Sequence, residues 1–98
     1  MRRFFNILQD QNLSDADFVT IQNARLDLIG ELEAIDGYSI HLRQANKLSA
    51  QATIRDILEE EQVHVGELMA LLFKLDPEFK KNFDKGVEEF NNRLATNS

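Results

Sequence analysis

An apolar stripe between Ala50 and Leu75 constrains this chain more than any other feature of its sequence. Its positions advance in alternating steps of four and three residues, which is typical of a helix face that packs against other helices. The stripe consists of Ala50, Ile54, Ile57, Glu61, His64, Leu68, Leu71 and Leu75. Two ionisable residues therefore interrupt an otherwise apolar surface. Because burial without a partner is costly for such groups, the pattern predicts that something compensates them.

A second stripe of the same kind lies upstream and also carries one acid near its centre. It consists of Ile21, Ala24, Leu28, Glu31, Ile35, Tyr38 and Leu42. Ser14 is predicted to cap the helix, which we expect over residues 14–45, since acids follow it in the first turn. We interpret Gly30 and Gly37, both within this helix, as points of close approach between helices.

The connection between the two stripes is short, so the helices are predicted to be antiparallel neighbours. We expect Ser49 to cap a second helix over 49–75. With the turn centred between Lys47 and Leu48, Glu31 and His64 lie at the same level of the hairpin, and Glu61 lies within one turn. Three potential metal ligands are therefore predicted to converge.

Asp76 followed by Pro77 predicts the start of a third helix, over 77–94. Its apolar residues are Phe79, Phe83, Val87, Phe90 and Leu94, which we interpret as packing residues. Residues 1–13 are expected to form a mobile arm, or simply a frayed terminus.

Composition favours one all-α domain over residues 1–98, because 43% of the residues are apolar and there is a single proline. The net charge of −6 argues against a nucleic-acid partner. The absence of cysteine excludes disulfides, iron–sulfur clusters and thiolate zinc sites. No apolar run is long enough to span a membrane, so we expect a soluble, cytoplasmic protein.

A single hairpin cannot enclose its own buried face, which predicts a homodimer that forms a four-helix bundle. Bundles with two carboxylate-bridged metals use a Glu from each of two helices and a Glu-x-x-His from each of the other two. One chain supplies half of this set, namely Glu31 with Glu61 and His64. Oxygen and imidazole ligands without thiolate suit iron or manganese, with zinc as a competitor.

Two segments resemble the encapsulated ferritins, a ferritin-like family: Glu31-Leu-Glu-Ala-Ile-Asp-Gly-Tyr38 and the stretch from Glu59 to Glu78. The resemblance implies a ferroxidase that oxidises Fe(II) to Fe(III) at a di-iron site between two subunits. It also implies an annular decamer housed inside an encapsulin shell. By position, Glu31, Glu61 and His64 would be the iron ligands, and Tyr38 would lie near the metals.

The chain departs from the family pattern at two glycines. Gly37 stands where the family often has an aromatic residue, and Gly30 where an additional acid helps to form an outer cation site. An outer site is therefore in doubt. Relatives carry a C-terminal shell-targeting tail or are fused to the shell protein, and no such tail is evident after Leu94, as expected of a domain cut from a longer chain.

Two other functions fit the same residues. One is a structural helical dimer fixed by zinc or manganese, and the other is a di-iron peroxide reductase that needs an external electron donor.

Several polar residues near the predicted site allow more than one interpretation. Tyr38 fits a core tyrosine whose hydroxyl is hydrogen-bonded nearly as well as it fits a role beside the metals. We interpret His41 as a surface or subunit-contact residue, and the remaining acids of the second helix, Glu59, Glu60 and Glu67, as a solvated face. A minority interpretation is that Glu33, Asp36 and Glu60 guide cations to the centre.

Overall fold

The computed structural model describes residues 14–97, which form three helices and no strand. Helix α1 is Asp15–Gln44, α2 is Leu48–Leu75 and α3 is Pro77–Asn97. The all-α prediction is confirmed, and α3 continues three residues beyond its predicted end. The arm predicted for residues 1–13 lies outside the described residues. None of the three helices is both long and apolar enough to cross a membrane.

Two of the three predicted helix caps are present. The Ser14 hydroxyl accepts a hydrogen bond from the backbone N–H of Asp17 at 3.1 Å, and the Asp76 carboxylate accepts one from the backbone N–H of Phe79 at 3.1 Å. The prediction for Ser49 is wrong, because α2 begins one residue earlier and Lys47 occupies the cap position without a side-chain hydrogen bond. Ser49 thus lies inside the first turn.

Helices α1 and α2 form the predicted antiparallel hairpin, and the seam positions of both stripes are mostly half-buried or buried. The exceptions are His64 and Leu71, which are exposed although the pattern places them in the seam. The buried core lies at the end of the hairpin away from the connection, where Ile21 and Ala24 of α1 meet Leu72 of α2.

Helix α3 covers that end of the hairpin through its first turns. Phe79 and Phe83 pack against Phe73 of α2, with ring centroids 5.5 and 4.9 Å apart. Arg25 of α1 also contacts the carboxylate of Asp76 at 3.3 Å, so the residue that caps α3 ties it to α1. Because Asp76 is almost fully buried, this ion pair and the cap hydrogen bond compensate a charge that would otherwise be costly.

The core is small for a chain of this length. Of the apolar side chains described, three are buried, and a dozen large ones are at least 40% exposed. A Cβ atom added at Gly30 or Gly37 would meet nothing within 4 Å. The interpretation of these glycines as points of close helix approach is therefore wrong within one chain. Such sparse burial leaves much of the apolar surface uncovered by the part of the chain that the structure describes.

Substituting Asp76 by Ala should lower the free energy of unfolding by about 1–2 kcal/mol, because both the cap hydrogen bond and the ion pair with Arg25 are lost. Urea unfolding followed by circular dichroism measures the change. The matched control is Asp84→Ala, which removes only the exposed pair with Lys80 and should cost less than about 0.5 kcal/mol. Equal losses in the two variants would contradict the role given to Asp76.

Candidate metal centre

The three predicted ligands converge midway along the hairpin. Glu31 projects from α1, while Glu61 and His64 project from one face of α2, since residues three apart on a helix are neighbours. One potential ligand atom from each side chain lies within 4.8 Å of the other two. The convergence predicted from the two stripes is therefore observed.

The distances in this cluster are longer than direct hydrogen bonds, and the shorter one matches the spacing of two ligands of one ion. Nδ1 of His64 lies 3.4 Å from Oε1 of Glu31 and 3.7 Å from Oε2 of Glu61. Hydrogen bonds between nitrogen and oxygen are usually about 2.7–3.2 Å long. Two ligands each about 2.1 Å from one ion are separated by roughly 3.0–3.6 Å. The separations leave room for a cation between the three side chains.

One carboxylate oxygen of Glu31 is a second observation that favours a bound cation in this cluster. Its Oε2 atom is buried and has no hydrogen-bond partner among the residues that the structure describes. Buried polar atoms are nearly always paired, because leaving one unpaired costs about 1–3 kcal/mol. A carboxylate oxygen in this position is satisfied when a cation binds it, so the residues present fit a metal ion.

The carboxylates are more buried than the imidazole. The side chains of Glu31 and Glu61 are 24% and 19% exposed, whereas that of His64 is 48% exposed. The expectation that all three lie buried in the seam is therefore wrong for His64 in one chain. The physical reason is that, within residues 14–97, only α1 and α2 flank this position, which leaves the outer side of the imidazole open.

The cluster lies in an open depression of about 640 Å³ between α1 and α2. Besides the three ligands, its lining residues are Leu26, Asp27, Gly30, Ala34, Glu67 and Leu68. The sequence analysis did not single out Asp27, although it precedes Glu31 by four residues and so shares its face. Glu67 is exposed as predicted, but it borders the depression. An open cavity with apolar and acidic walls suits a face that another subunit covers.

Tyr38 is not among the residues that line the depression. It is half-buried, and its ring meets that of His41 edge to face with centroids 6.3 Å apart. His41 is exposed, as predicted. A role for Tyr38 near the metals stays a prediction. The proposed cation-guiding acids Glu33 and Asp36 are exposed on α1.

The antiparallel hairpin, with one Glu on α1 and a Glu-x-x-His on α2, has the ligand pattern of a ferritin-like protein. A crystal structure of the encapsulated ferritin domain from Pyrococcus furiosus superimposes with a TM-score of 0.75 and 36% sequence identity, and the match covers 78% of each chain. The chain belongs to the encapsulated ferritins.

Two protein relatives agree with this assignment. The chain is 42% identical over 65 residues to a ferritin-like–encapsulin shell fusion protein of Pyrococcus furiosus, a match that covers 66% of this chain. The chain spans only 19% of that relative's length. It is also 28% identical over 92 residues to the encapsulin nanocompartment cargo protein EncC of Myxococcus xanthus, covering 94% of this chain and 68% of the relative. No family model matches the chain.

Replacing Glu61 by Gln should weaken binding of a divalent cation more than about tenfold, because an amide keeps the shape but loses the charged oxygen ligand. Anaerobic isothermal titration with Mn²⁺ measures the affinity. Glu59→Gln, on the exposed face of the same helix, is the matched control and should bind like the unaltered chain. A similar loss in both variants would show that general acidity, rather than the cluster, holds the cation.

Proposed function

We propose that this protein is a ferroxidase that oxidises Fe(II) to Fe(III) at a di-iron site shared by two copies of the chain. The observation that carries the proposal is the convergence of Glu31, Glu61 and His64, whose ligand atoms lie within 4.8 Å of one another. The mixed oxygen and nitrogen ligand set supports a first-row divalent metal, and the family to which the chain belongs favours iron as the substrate.

The sharing of the site between two subunits is supported by what one chain lacks. One hairpin offers three protein ligands, whereas a bundle with two bridged metals uses six. A two-fold axis through the open depression would supply the other half from the same residues of a second copy. It would also cover the exposed side of His64 and the exposed Leu26. Gly30, which has open space above it, allows the second hairpin to approach closely.

Charge balance supports two divalent ions per dimer. Each chain brings two carboxylates to the cluster, so four negative charges would meet two doubly positive ions. Without cations the four carboxylates would repel one another in a partly buried joint. The dimer at this face is therefore expected to depend on metal.

The chemistry requires little from the protein beyond binding and positioning. Carboxylate oxygens are hard, anionic ligands, which stabilise the more highly charged ferric ion relative to the ferrous ion. When two ferrous ions are held side by side, they can give two electrons to one molecule of oxygen. The oxygen takes up two protons and leaves as hydrogen peroxide, so atoms and electrons balance. Glu31 and Glu61 would hold the ions through carboxylate oxygens, and His64 would add an imidazole nitrogen as a ligand.

We place this activity inside an encapsulin nanocompartment, where the shell protein would be the partner and the ferric product would be stored. The support is that one relative is named as a fusion with an encapsulin shell and another as an encapsulin cargo protein. Further assembly of dimers into a ring, with a decamer as the expected size, belongs to the same proposal.

Substituting His64 by Ala should lower the rate of iron oxidation at least about tenfold while leaving helix content unchanged, since a ligand is lost from a half-exposed position. The measurement adds ferrous iron anaerobically, admits air, and follows ferric absorbance and oxygen consumption. His41→Ala is the matched control, because His41 is the other histidine of the chain and lies outside the depression.

The same experiment separates the proposal from its alternatives. Oxidation at the unaltered rate in the His64 variant would show the site assignment wrong. Binding of iron without oxidation would favour a metal-stabilised structural dimer. Turnover of peroxide that occurs only with an added reductant would favour a peroxide reductase.

Adding ferrous iron under anaerobic conditions should raise the mean mass of the assembly, because the metal joins two hairpins at the shared site. Sedimentation velocity with iron and with a chelator measures this. The Glu61→Gln variant should show a much smaller rise. Identical sedimentation in the two conditions would contradict a site shared by two subunits.

A further inference from the structure

The imidazole of His64 has a second nitrogen that the candidate metal centre does not use. Its Nδ1 atom faces the carboxylates, 3.4 Å from Glu31 and 3.7 Å from Glu61. The other nitrogen, Nε2, makes no hydrogen bond within residues 14–97. When Nδ1 of a neutral imidazole binds a cation, the proton of the ring is on Nε2. This N–H group is therefore a donor that needs an acceptor beside the site.

Two acids of α2 lie one turn from His64, and their positions differ in a way that decides between them. Glu67 follows His64 by three residues, and Glu60 precedes it by four. Side chains on a helix lean toward its N-terminus, so Glu67 leans over His64 whereas Glu60 leans away from it. Glu67 also lines the depression around the cluster, and Glu60 does not. The helix geometry thus favours Glu67 as the acceptor.

We infer that Glu67 is a positioning residue for His64, whose carboxylate accepts a hydrogen bond from Nε2–H when Nδ1 holds a metal ion. A ligating histidine is normally oriented in this way by a carboxylate, a carbonyl or a water molecule. The inference rests on the metal centre of the proposed function and adds to it a residue outside the set of three ligands.

The side chain of Glu67 is free to make this contact. It is exposed and forms no hydrogen bond or ion pair with the described part of the chain. It can therefore turn toward His64 without breaking another interaction. Cβ atoms three residues apart on a helix are about 5–6 Å apart, which two side chains of this length can bridge.

The other acid that borders the depression is less suited to this role. Asp27 lies on α1, four residues before Glu31, and lines the same depression. Because it also leans toward the N-terminus of its own helix, it points away from the cluster, toward the end of the hairpin where α1 begins. Its shorter side chain reaches less far than that of Glu67.

The charge of Glu67 would assist the reaction as well as the geometry. Each chain brings two carboxylates to the cluster, which offset the charge of one ferrous ion. Oxidation to ferric iron adds one positive charge per chain. The carboxylate of Glu67 offsets that charge through the imidazole, and it makes Nδ1 a stronger donor to the metal.

The first test observes the Nε2 proton of His64 in the full chain, labelled with ¹⁵N at histidine, with zinc as a diamagnetic probe. His41 is the other histidine of the chain and serves as an internal reference. Zinc should change the Nδ1 resonance of His64, and the Nε2 proton should exchange slowly with water. In Glu67→Ala that proton should exchange faster while zinc stays on Nδ1. Glu60→Ala is the matched control and should keep the slow exchange.

The second test separates the hydrogen bond from the charge. Glu67→Ala should lower the affinity for zinc about tenfold, as expected when a ligating histidine loses its partner. Glu67→Gln keeps an oxygen that can accept the hydrogen bond, so it should lose less affinity and retain part of the slow exchange. Competition with a chelating dye measures the affinities. Equal losses in the two variants would show that only the charge acts, which would overturn the hydrogen bond.

The remaining outcomes distinguish this inference from the proposed function. A zinc-dependent change at Nδ1 with slow Nε2 exchange retained in Glu67→Ala would overturn the inference alone. Loss of slow exchange in Glu60→Ala or Asp27→Ala, but not in Glu67→Ala, would also overturn it. No zinc-dependent change at Nδ1 in the unaltered chain would remove His64 as a ligand, and with it both the metal centre and the role of Glu67. Circular dichroism checks that every variant keeps its helix content.

Discussion

The mutual repulsion of two carboxylates in the hairpin seam is the constraint on which the rest of this structure depends. Glu31 and Glu61 face each other where an apolar pair would be expected, with ligand atoms within 4.8 Å, and the nearby imidazole of His64 is half-exposed. At that distance two like charges repel by roughly 3 kcal/mol before solvent screening lowers the value. An all-apolar seam would be more stable in a single chain. A cation between the carboxylates would remove this repulsion, and the open depression around them would leave space for the second hairpin that we propose.

The periodic features of the sequence were sufficient to predict the hairpin and the cluster. Alternating steps of three and four residues specify which side of each helix faces the other, and a short connection fixes the register. From these two facts the convergence of Glu31, Glu61 and His64 follows before any coordinates are known. The helix caps at Ser14 and Asp76 were also predicted correctly from the sequence. In each case a short polar side chain accepts a hydrogen bond from a backbone N–H in the first turn of the helix.

What the sequence did not reveal depends on contacts between residues far apart in the chain. The ion pair of Arg25 with Asp76 joins residues 51 positions apart, and no local pattern signals it. The start of α2 was also misplaced, because the side-chain amide of Gln51 donates a hydrogen bond to the carbonyl of Ala45 at 2.9 Å and so links the first turn of α2 to the connection. The sequence also did not predict that His64 is exposed. A periodic apolar stripe shows which face of a helix packs against other helices, but it does not show whether those helices belong to the same chain.

An anomalous-scattering map collected at the iron absorption edge, on crystals of the assembled protein grown with ferrous iron, tests the central claim most directly. The account predicts two iron peaks beside a two-fold axis, each within bonding distance of Glu31, Glu61 or His64 from both subunits. Iron peaks bound by one chain alone, iron at other acidic residues, or no iron between the hairpins would contradict a metal centre completed by a second copy of the chain.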